Sequence, residues 1–264
     1  MFSQILIFDL LVGKVEDKGM DAFWALALAG FGVGVGYGAF GAGGSAFATP
    51  VLALLGVPPL VAVASPLPAA LPAAAAGAWS YLRRGQFDGR IALFTLAGGL
   101  PATVGGALLA RHVGGPVLLV LSGLVLVLMG VLMLSPHVAV PSLHQVSPAV
   151  ILAGAATVGF LSGLLANGGG FLLVPFFLLV LGLGIRRATG TSLVAAAALA
   201  VPSLIAHWTV GDIDWRIAGL FAIGLVPGTV VGSRLAPLVR GDRLQRGFGV
   251  LLVVFAAWVL ASRV

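Results

Sequence analysis

Gly41-Ala-Gly-Gly-Ser-Ala-Phe-Ala-Thr-Pro50 decides how this chain is read, because it returns as Ala166-Asn-Gly-Gly-Gly-Phe-Leu-Leu-Val-Pro175. In each copy a Gly-Gly pair, Gly43 and Gly44 or Gly168 and Gly169, sits in apolar sequence with a proline shortly after it. Each glycine costs roughly 1 kcal/mol in a helix interior relative to alanine, so both stretches break a helix. In a bilayer, a broken helix leaves backbone N–H and C=O groups free, which is tolerated only where protein or a water-filled cavity satisfies them. Matching breaks therefore point to a site.

The surroundings of the breaks are those of a membrane protein. The 264 residues are 60% hydrophobic and 8% charged, with a mean hydropathy of +1.15. A soluble domain carries about a quarter charged residues. The net charge of +6 and pI near 11.1 do not argue for nucleic acid as a partner, because the arginines lie in short loops between apolar runs, where positive charge orients helices. The lipid bilayer is the expected environment. With no cysteine, thiolate metal sites and disulfides are excluded, and four scattered histidines and eight acids form no metal cluster, so neither cofactor nor metal is expected.

Residues 1–21 read as an N-terminal peripheral segment. Met1 to Leu11 is apolar but lacks the basic start of a cleaved signal peptide, and the charged run Lys14-Val-Glu-Asp-Lys18 follows it. Apolar segments then fall at about 22–40, 44–56, 59–82, 90–110 and 116–135, and again at 149–166, 169–182, 185–208, 216–238 and 245–261. The second segment of each series is too short to cross a bilayer alone, which takes about 20 residues. It is a half-helix or part of a re-entrant hairpin. The domains are thus a first transmembrane repeat over 22–135, a proline-containing linker over 136–148 and a second repeat over 149–264.

The duplication can be checked by residue. At an offset of 125, Gly43, Gly44 and Pro50 meet Gly168, Gly169 and Pro175; after one inserted residue, Leu67, Asp88, Arg90, Gly98, Thr103 and Gly106 meet identical residues at 193, 214, 216, 224, 229 and 232. A unit with an odd number of crossings inserts its second copy upside down. Loop charge agrees: Arg83-Arg84-Gly-Gln-Phe-Asp-Gly-Arg90 is basic, whereas its counterpart Gly211-Asp-Ile-Asp-Trp-Arg216 is acidic and flanked by loops with Arg186, Arg187, Arg240, Arg243 and Arg246. The positive-inside rule places Arg83, Arg84, Arg186, Arg187, Arg240 and Arg243 in the cytoplasm and the C-terminus outside. The expected fold is an all-α integral membrane protein of two inverted repeats, each of about five helical segments, with roughly 8–10 transmembrane segments in all.

Inverted repeats with broken helices near their axis are a recurring transporter design, with the substrate held at the repeat interface. Helices restarting at Ser45 and Gly170 offer free amides and the positive end of a helix dipole to a small anionic substrate. Ser45 and Asn167 add side-chain donors. The alternative is that these glycines, with Gly30, Gly34 and Gly38, serve close helix packing. Ser65, Thr191 and Ser192, in the matching stretches Val63-Ala-Ser-Pro-Leu67 and Thr189-Gly-Thr-Ser-Leu193, line the path or bond back to their own helices. His207 and Tyr81 are candidates for proton movement or gating, or else interfacial anchors. Arg111 and Arg234 snorkel near helix ends or draw anions to a vestibule. No charged residue lies mid-span, so there is no intramembrane carboxylate for sodium or protons, and no nucleotide loop or nucleophile–base set supports an enzyme.

Gly159-Phe-Leu-Ser-Gly-Leu-Leu followed by Gly168-Gly-Gly-Phe-Leu-Leu-Val-Pro175, then Ala188-Thr-Gly-Thr-Ser-Leu193 and Gly211-Asp-Ile-Asp-Trp-Arg216, resembles the TauE/SafE sulfite exporter family, as does Tyr81-Leu-Arg-Arg-Gly85. The likeness covers about residues 22 to 262. It implies a carrier in the bacterial cytoplasmic (inner) membrane for sulfite or organosulfonates such as sulfoacetate, working as an exporter. The first half departs from the family pattern, with Gly-Ala-Gly-Gly-Ser in place of a glycine triplet and Ala-Ser-Pro in place of Gly-Thr-Ser, which implies an asymmetric site.

The expected substrate-binding set is Gly43, Gly44, Ser45, Ser65, Asn167, Gly168, Gly169, Gly170, Thr191 and Ser192. The rivals are an anion channel and a membrane scaffold without transport, and homo-oligomerisation is left open.

Overall fold

The structure, a computed structural model, describes residues 19–41, 47–113, 115–135, 146–165, 170–211 and 213–261. Residues 1–18, most of the linker, and Gly43, Gly44, Ser45, Asn167, Gly168 and Gly169 lie outside the described residues. The described chain is all helical. In the first half the helices are α1 (Gly19–Phe40), α2 (Ala48–Leu54), α3 (Pro59–Ala64), α4 (Pro66–Leu82), α5 (Gly89–Val113) and α6 (Gly115–Leu134). In the second they are α7 (Pro148–Leu164), α8 (Gly170–Pro175), α9 (Ile185–Val210), α10 (Trp215–Leu235) and α11 (Gly241–Ala261).

The segment expected as one helix over 59–82 is divided at Ser65, because Pro66 has no N–H to continue the ladder and its ring crowds the preceding turn. Likewise the 169–182 segment is α-helical only to Pro175, after which Phe176–Val180 form a π turn. Stretches of 19 to 24 residues, at Ala22–Phe40, Gly89–Leu109, Ile185–Ile205 and Trp215–Leu238, are long and apolar enough to cross a membrane; Gly123–Leu134 and Pro148–Leu164 are shorter apolar helices. Leu28, Leu93, Leu108, Leu128 and Ile223 on these helices, and Val254 on α11, are exposed. Such an apolar exterior suits lipid.

Each of the closest helix pairs joins one half to the other. α1 packs on α10, and α7 packs on α5. A Cβ at Gly30, Gly34 or Gly38 of α1 would strike the carbonyls of Phe221, Leu225 and Thr229 of α10, so the helices run parallel with backbones in contact. In the other pair, Gly159 and Gly163 of α7 lie against the carbonyls of Gly99 and Thr103 of α5. These contacts correspond residue by residue: Gly34 on Leu225 matches Gly159 on Gly99, and Gly38 on Thr229 matches Gly163 on Thr103. Small-residue stripes thus give dispersion contact that side chains would prevent. The packing alternative holds for Gly30, Gly34 and Gly38.

α6 and α11 pair antiparallel, with Gly130 against Gly249 and Val253, and the Gln245 amide donating to the Met133 carbonyl at 3.3 Å. Phe40 stacks on Phe248 of α11 at 5.2 Å between ring centroids, and Phe47 meets Phe255 at 4.6 Å. Residues 248 and 255 lie about 10 Å apart along a helix. The chain therefore turns at Gly41, whose φ is +76°, and α2 begins about 10 Å further along α11, as a half-helix entering the core with Leu52 fully buried.

Candidate functional site

The third segments of the two halves, α4 and α9, pack against each other at the centre. They meet end to start: a Cβ at Gly190 would strike the Gln86 carbonyl and come within 2.8 Å of Tyr81 Cβ. Two matched polar contacts tie the halves together, one at this junction and one at the far end of α4. The Asp88 N–H donates to Thr191 Oγ1 at 3.0 Å, and the Asp214 N–H donates to Ser65 Oγ at 3.1 Å. Each aspartate starts its helix: Asp88 Oδ1 accepts from Ile91 N at 3.0 Å, and Asp214 Oδ1 accepts from Arg216 N and Ile217 N at 2.8 and 3.0 Å. A side-chain oxygen there satisfies amides that have no partner within the helix. Asp88 and Asp214, Ser65 and Thr191, and Ile91 and Ile217 are all offset partners.

Ser65, Thr191 and Ser192 are all fully buried. Ser65 and Thr191 hold the aspartate amides and keep their own hydroxyl protons to donate. Neither bonds back to its own helix in these contacts. Ser192 does, donating to the Thr189 carbonyl at 2.8 Å. The left-handed Gly41, last described residue before the first break, lies against this turn: a Cβ on it would be 2.5 Å from Ser192 Oγ and 3.0 Å from Thr189 Cα. Gly170 opens α8 after the second break. The structure thus brings the edge of the first break to Thr191 and Ser192, and sets Ser65 at the far end of α4.

Tyr81 is not an interfacial anchor. It is fully buried, and its hydroxyl donates to the Gly38 carbonyl at 2.9 Å, locking the end of α4 to the end of α1. His207 lies by its backbone in the last turn of α9; its side chain is outside the described residues. Its neighbour Trp208 is 62% exposed and packs edge-on to Trp215 at 6.1 Å, the placement of an aromatic belt.

The Tyr81 end of the molecule is rich in arginine. Arg84 donates to the Ser233 carbonyl at 2.7 Å, where it neutralises the negative end of α10, and Arg186 donates to the Pro237 carbonyl at 2.9 Å, just past that end. Arg83 lies over the Trp79 ring at 4.5 Å, and Arg240 and Asp242 form an exposed pair at 3.9 Å, of little energetic weight. No group of acids and histidines able to hold a metal occurs among the described residues. Sequence reasoning missed Asp88, Asp214, Gln86 and Thr189. The aspartates were visible as an identical offset pair, but nothing in the offset said that each would reach the other half.

The sequence matches the family described as Sulfite exporter TauE/SafE over residues 26–259. A probable membrane transporter protein of Xylella fastidiosa strain 9a5c is 31% identical over 243 residues, covering 86% of this chain and 91% of the relative. The probable membrane transporter protein YjnA of Bacillus subtilis is 25% identical over 240 residues, covering 84% and 93%. The probable membrane transporter protein ORF9 of Sinorhizobium sp is 27% identical over 222 residues, covering 81% and 83%. No solved structure matches the chain.

Proposed function

We propose that this chain, which belongs to the TauE/SafE sulfite exporter family of membrane transporters, is a secondary carrier that exports sulfite or a small organosulfonate such as sulfoacetate across the bacterial cytoplasmic membrane. It works by alternating access between two inverted halves. The observation that carries this reading is the matched crossing of the halves. Each helix start is held by a hydroxyl of the opposite half, Asp88 by Thr191 and Asp214 by Ser65. The end of α4 meets the start of α9, so α4 and α9 run in opposite directions, and α5 and α10 start at opposite ends. Equivalent segments that run antiparallel support an inverted repeat, and with it the two-sided geometry of a carrier.

Within this frame the substrate anion sits between the breaks. Amides of Gly43, Gly44, Ser45, Gly168, Gly169 and Gly170 surround it, with Asn167 and the hydroxyls of Thr191 and Ser192 nearby; Ser65, at the far end of α4, lines the path rather than this site. Amides and hydroxyls bind an anion without a buried cation, so release on the far side stays easy. Rocking of one half against the other exposes the site first to the cytoplasmic, arginine-rich end and then to the other.

Proteoliposomes loaded with unlabelled sulfite test this directly. Labelled sulfite outside is expected to enter by saturable counterflow, and Gly169→Leu is expected to insert normally and carry nothing. Flux without trans-stimulation describes a channel and overturns the carrier. Wild-type flux in Gly169→Leu removes the site from the second break.

A further inference from the structure

We propose that Thr189 and Gln86 form an anion-loading subsite at the arginine-rich end, where the end of α1, the α4–α5 turn and the second turn of α9 meet; this deepens the carrier reading and rests on it. Convergence is set by two glycines. At Gly190 a Cβ would strike the Gln86 carbonyl, and at Gly41 a Cβ would lie 3.0 Å from both Cα and the carbonyl oxygen of Thr189. Thr189 thus stands between two other segments, with Gln86 laid across the residue next to it.

Thr189 is fully buried, and its Oγ1 has no hydrogen-bond partner among the described residues; the same is true of Gln86 Oε1. Buried polar atoms are almost always paired, and one left unpaired carries its full desolvation penalty. Two such atoms on adjoining segments mark a place where a partner of a different kind binds. The chemistry fits an oxyanion. The Thr189 hydroxyl donates to an anionic oxygen, and Gln86 Oε1 accepts from a protonated one, so the pair suits an oxyanion that carries one proton.

The surroundings favour negative charge without trapping it. Arg84 and Arg186 lie within electrostatic reach of Tyr81, yet both guanidiniums are already engaged with carbonyls at or just past the end of α10. Asp88, two residues after Gln86, turns its carboxylate to the Ile91 amide. At the offset-equivalent positions the sequence has Val63, for Thr189, and Asp212, for Gln86, a side chain without a hydroxyl and a carboxylate. The subsite thus belongs to one end only, and sulfite offered at the arginine-rich face should show the lower KM.

The test compares wild type, Thr189→Val and Thr189→Ser in counterflow of labelled sulfite over a concentration series, with thermal unfolding of each protein in detergent with and without sulfite. Thr189→Val is expected to raise KM about tenfold, the loss of one hydrogen bond to a charged group, and to lose the sulfite-induced rise in unfolding temperature. Without sulfite it should unfold no earlier than wild type. Thr189→Ser is expected to stay within about twofold of wild type in KM.

A Thr189→Val protein with wild-type KM and an intact sulfite shift overturns the subsite and leaves the carrier standing. Earlier unfolding of Thr189→Val with unchanged KM assigns the hydroxyl to the scaffold and equally overturns it. A wild-type protein with neither exchange nor a thermal shift, for sulfite and for sulfoacetate, overturns the carrier reading and the subsite together.

Discussion

Thr191→Val isolates one of the two hydroxyl contacts between the halves. The substitution keeps the branched shape and removes the oxygen that accepts the Asp88 N–H at 3.0 Å. That amide is partly buried, and the adjacent carboxylate oxygen is already occupied by Ile91 N. Leaving a buried donor unsatisfied costs about 1–3 kcal/mol; with Asp88 half-exposed, water recovers part of it, and about 1–2 kcal/mol remains. For a chain of this size each kcal/mol moves the midpoint by roughly 2–4 °C, so Tm should fall by about 2–8 °C.

Ser65→Ala removes the matching acceptor from Asp214. Asp214 is exposed, so water substitutes more fully and the expected loss is smaller, about 0.5–1 kcal/mol. The contacts lie at opposite ends of α4, so the losses should add in the double variant. Thermal unfolding of purified protein in detergent, followed by intrinsic tryptophan fluorescence, measures all of them. The contrast with Thr189→Val, two residues away and expected to lose nothing, makes the result specific. A Thr191→Val protein that melts with wild type, or a Thr189→Val protein that loses as much, would refute the reasoning.

The glycine stripe gives the next prediction. Gly32 is exposed with open space around it, so Gly32→Ala should gain up to about 1 kcal/mol. Gly34→Ala drives a methyl into the Leu225 carbonyl and should cost about 1–3 kcal/mol; Gly159→Ala should do the same against Gly99, all read as unfolding temperature. Arg84→Ala leaves the Ser233 carbonyl without its charged partner and should lower stability by about 1–2 kcal/mol, with Arg84→Lys recovering part of it in the same assay.

Much of this molecule is legible in its sequence because a duplication doubles every signal. The offset pairs Asp88 with Asp214 and Gly34 with Gly159, and the structure uses each pair in the same way. An offset aligns positions but does not say what each one touches. That α1 would pack on α10, and Asp88 on Thr191, needed three dimensions. Tyr81 reads as an anchor because it stands beside two arginines at a helix end, and only packing shows its hydroxyl turned inward to Gly38. The division at Ser65 was available in Pro66, but an otherwise continuous apolar run concealed it. At the candidate site, Thr191 was legible from its echo of Ser65, whereas Thr189 and Gln86 have no like residue at the equivalent positions and so gave no signal.

The inversion of the halves is the claim on which the two-sided site depends, and the chain is suited to testing it because it contains no cysteine. Arg90 and Arg216 occupy equivalent positions at the starts of α5 and α10, and both are exposed. Single-cysteine variants Arg90→Cys and Arg216→Cys, treated in intact cells with a membrane-impermeant maleimide and again after lysis, report the side on which each lies. Inverted halves predict that Arg216→Cys labels in intact cells and Arg90→Cys only after lysis. Labelling of both from the same side would contradict the inverted repeat and the alternating-access carrier built on it.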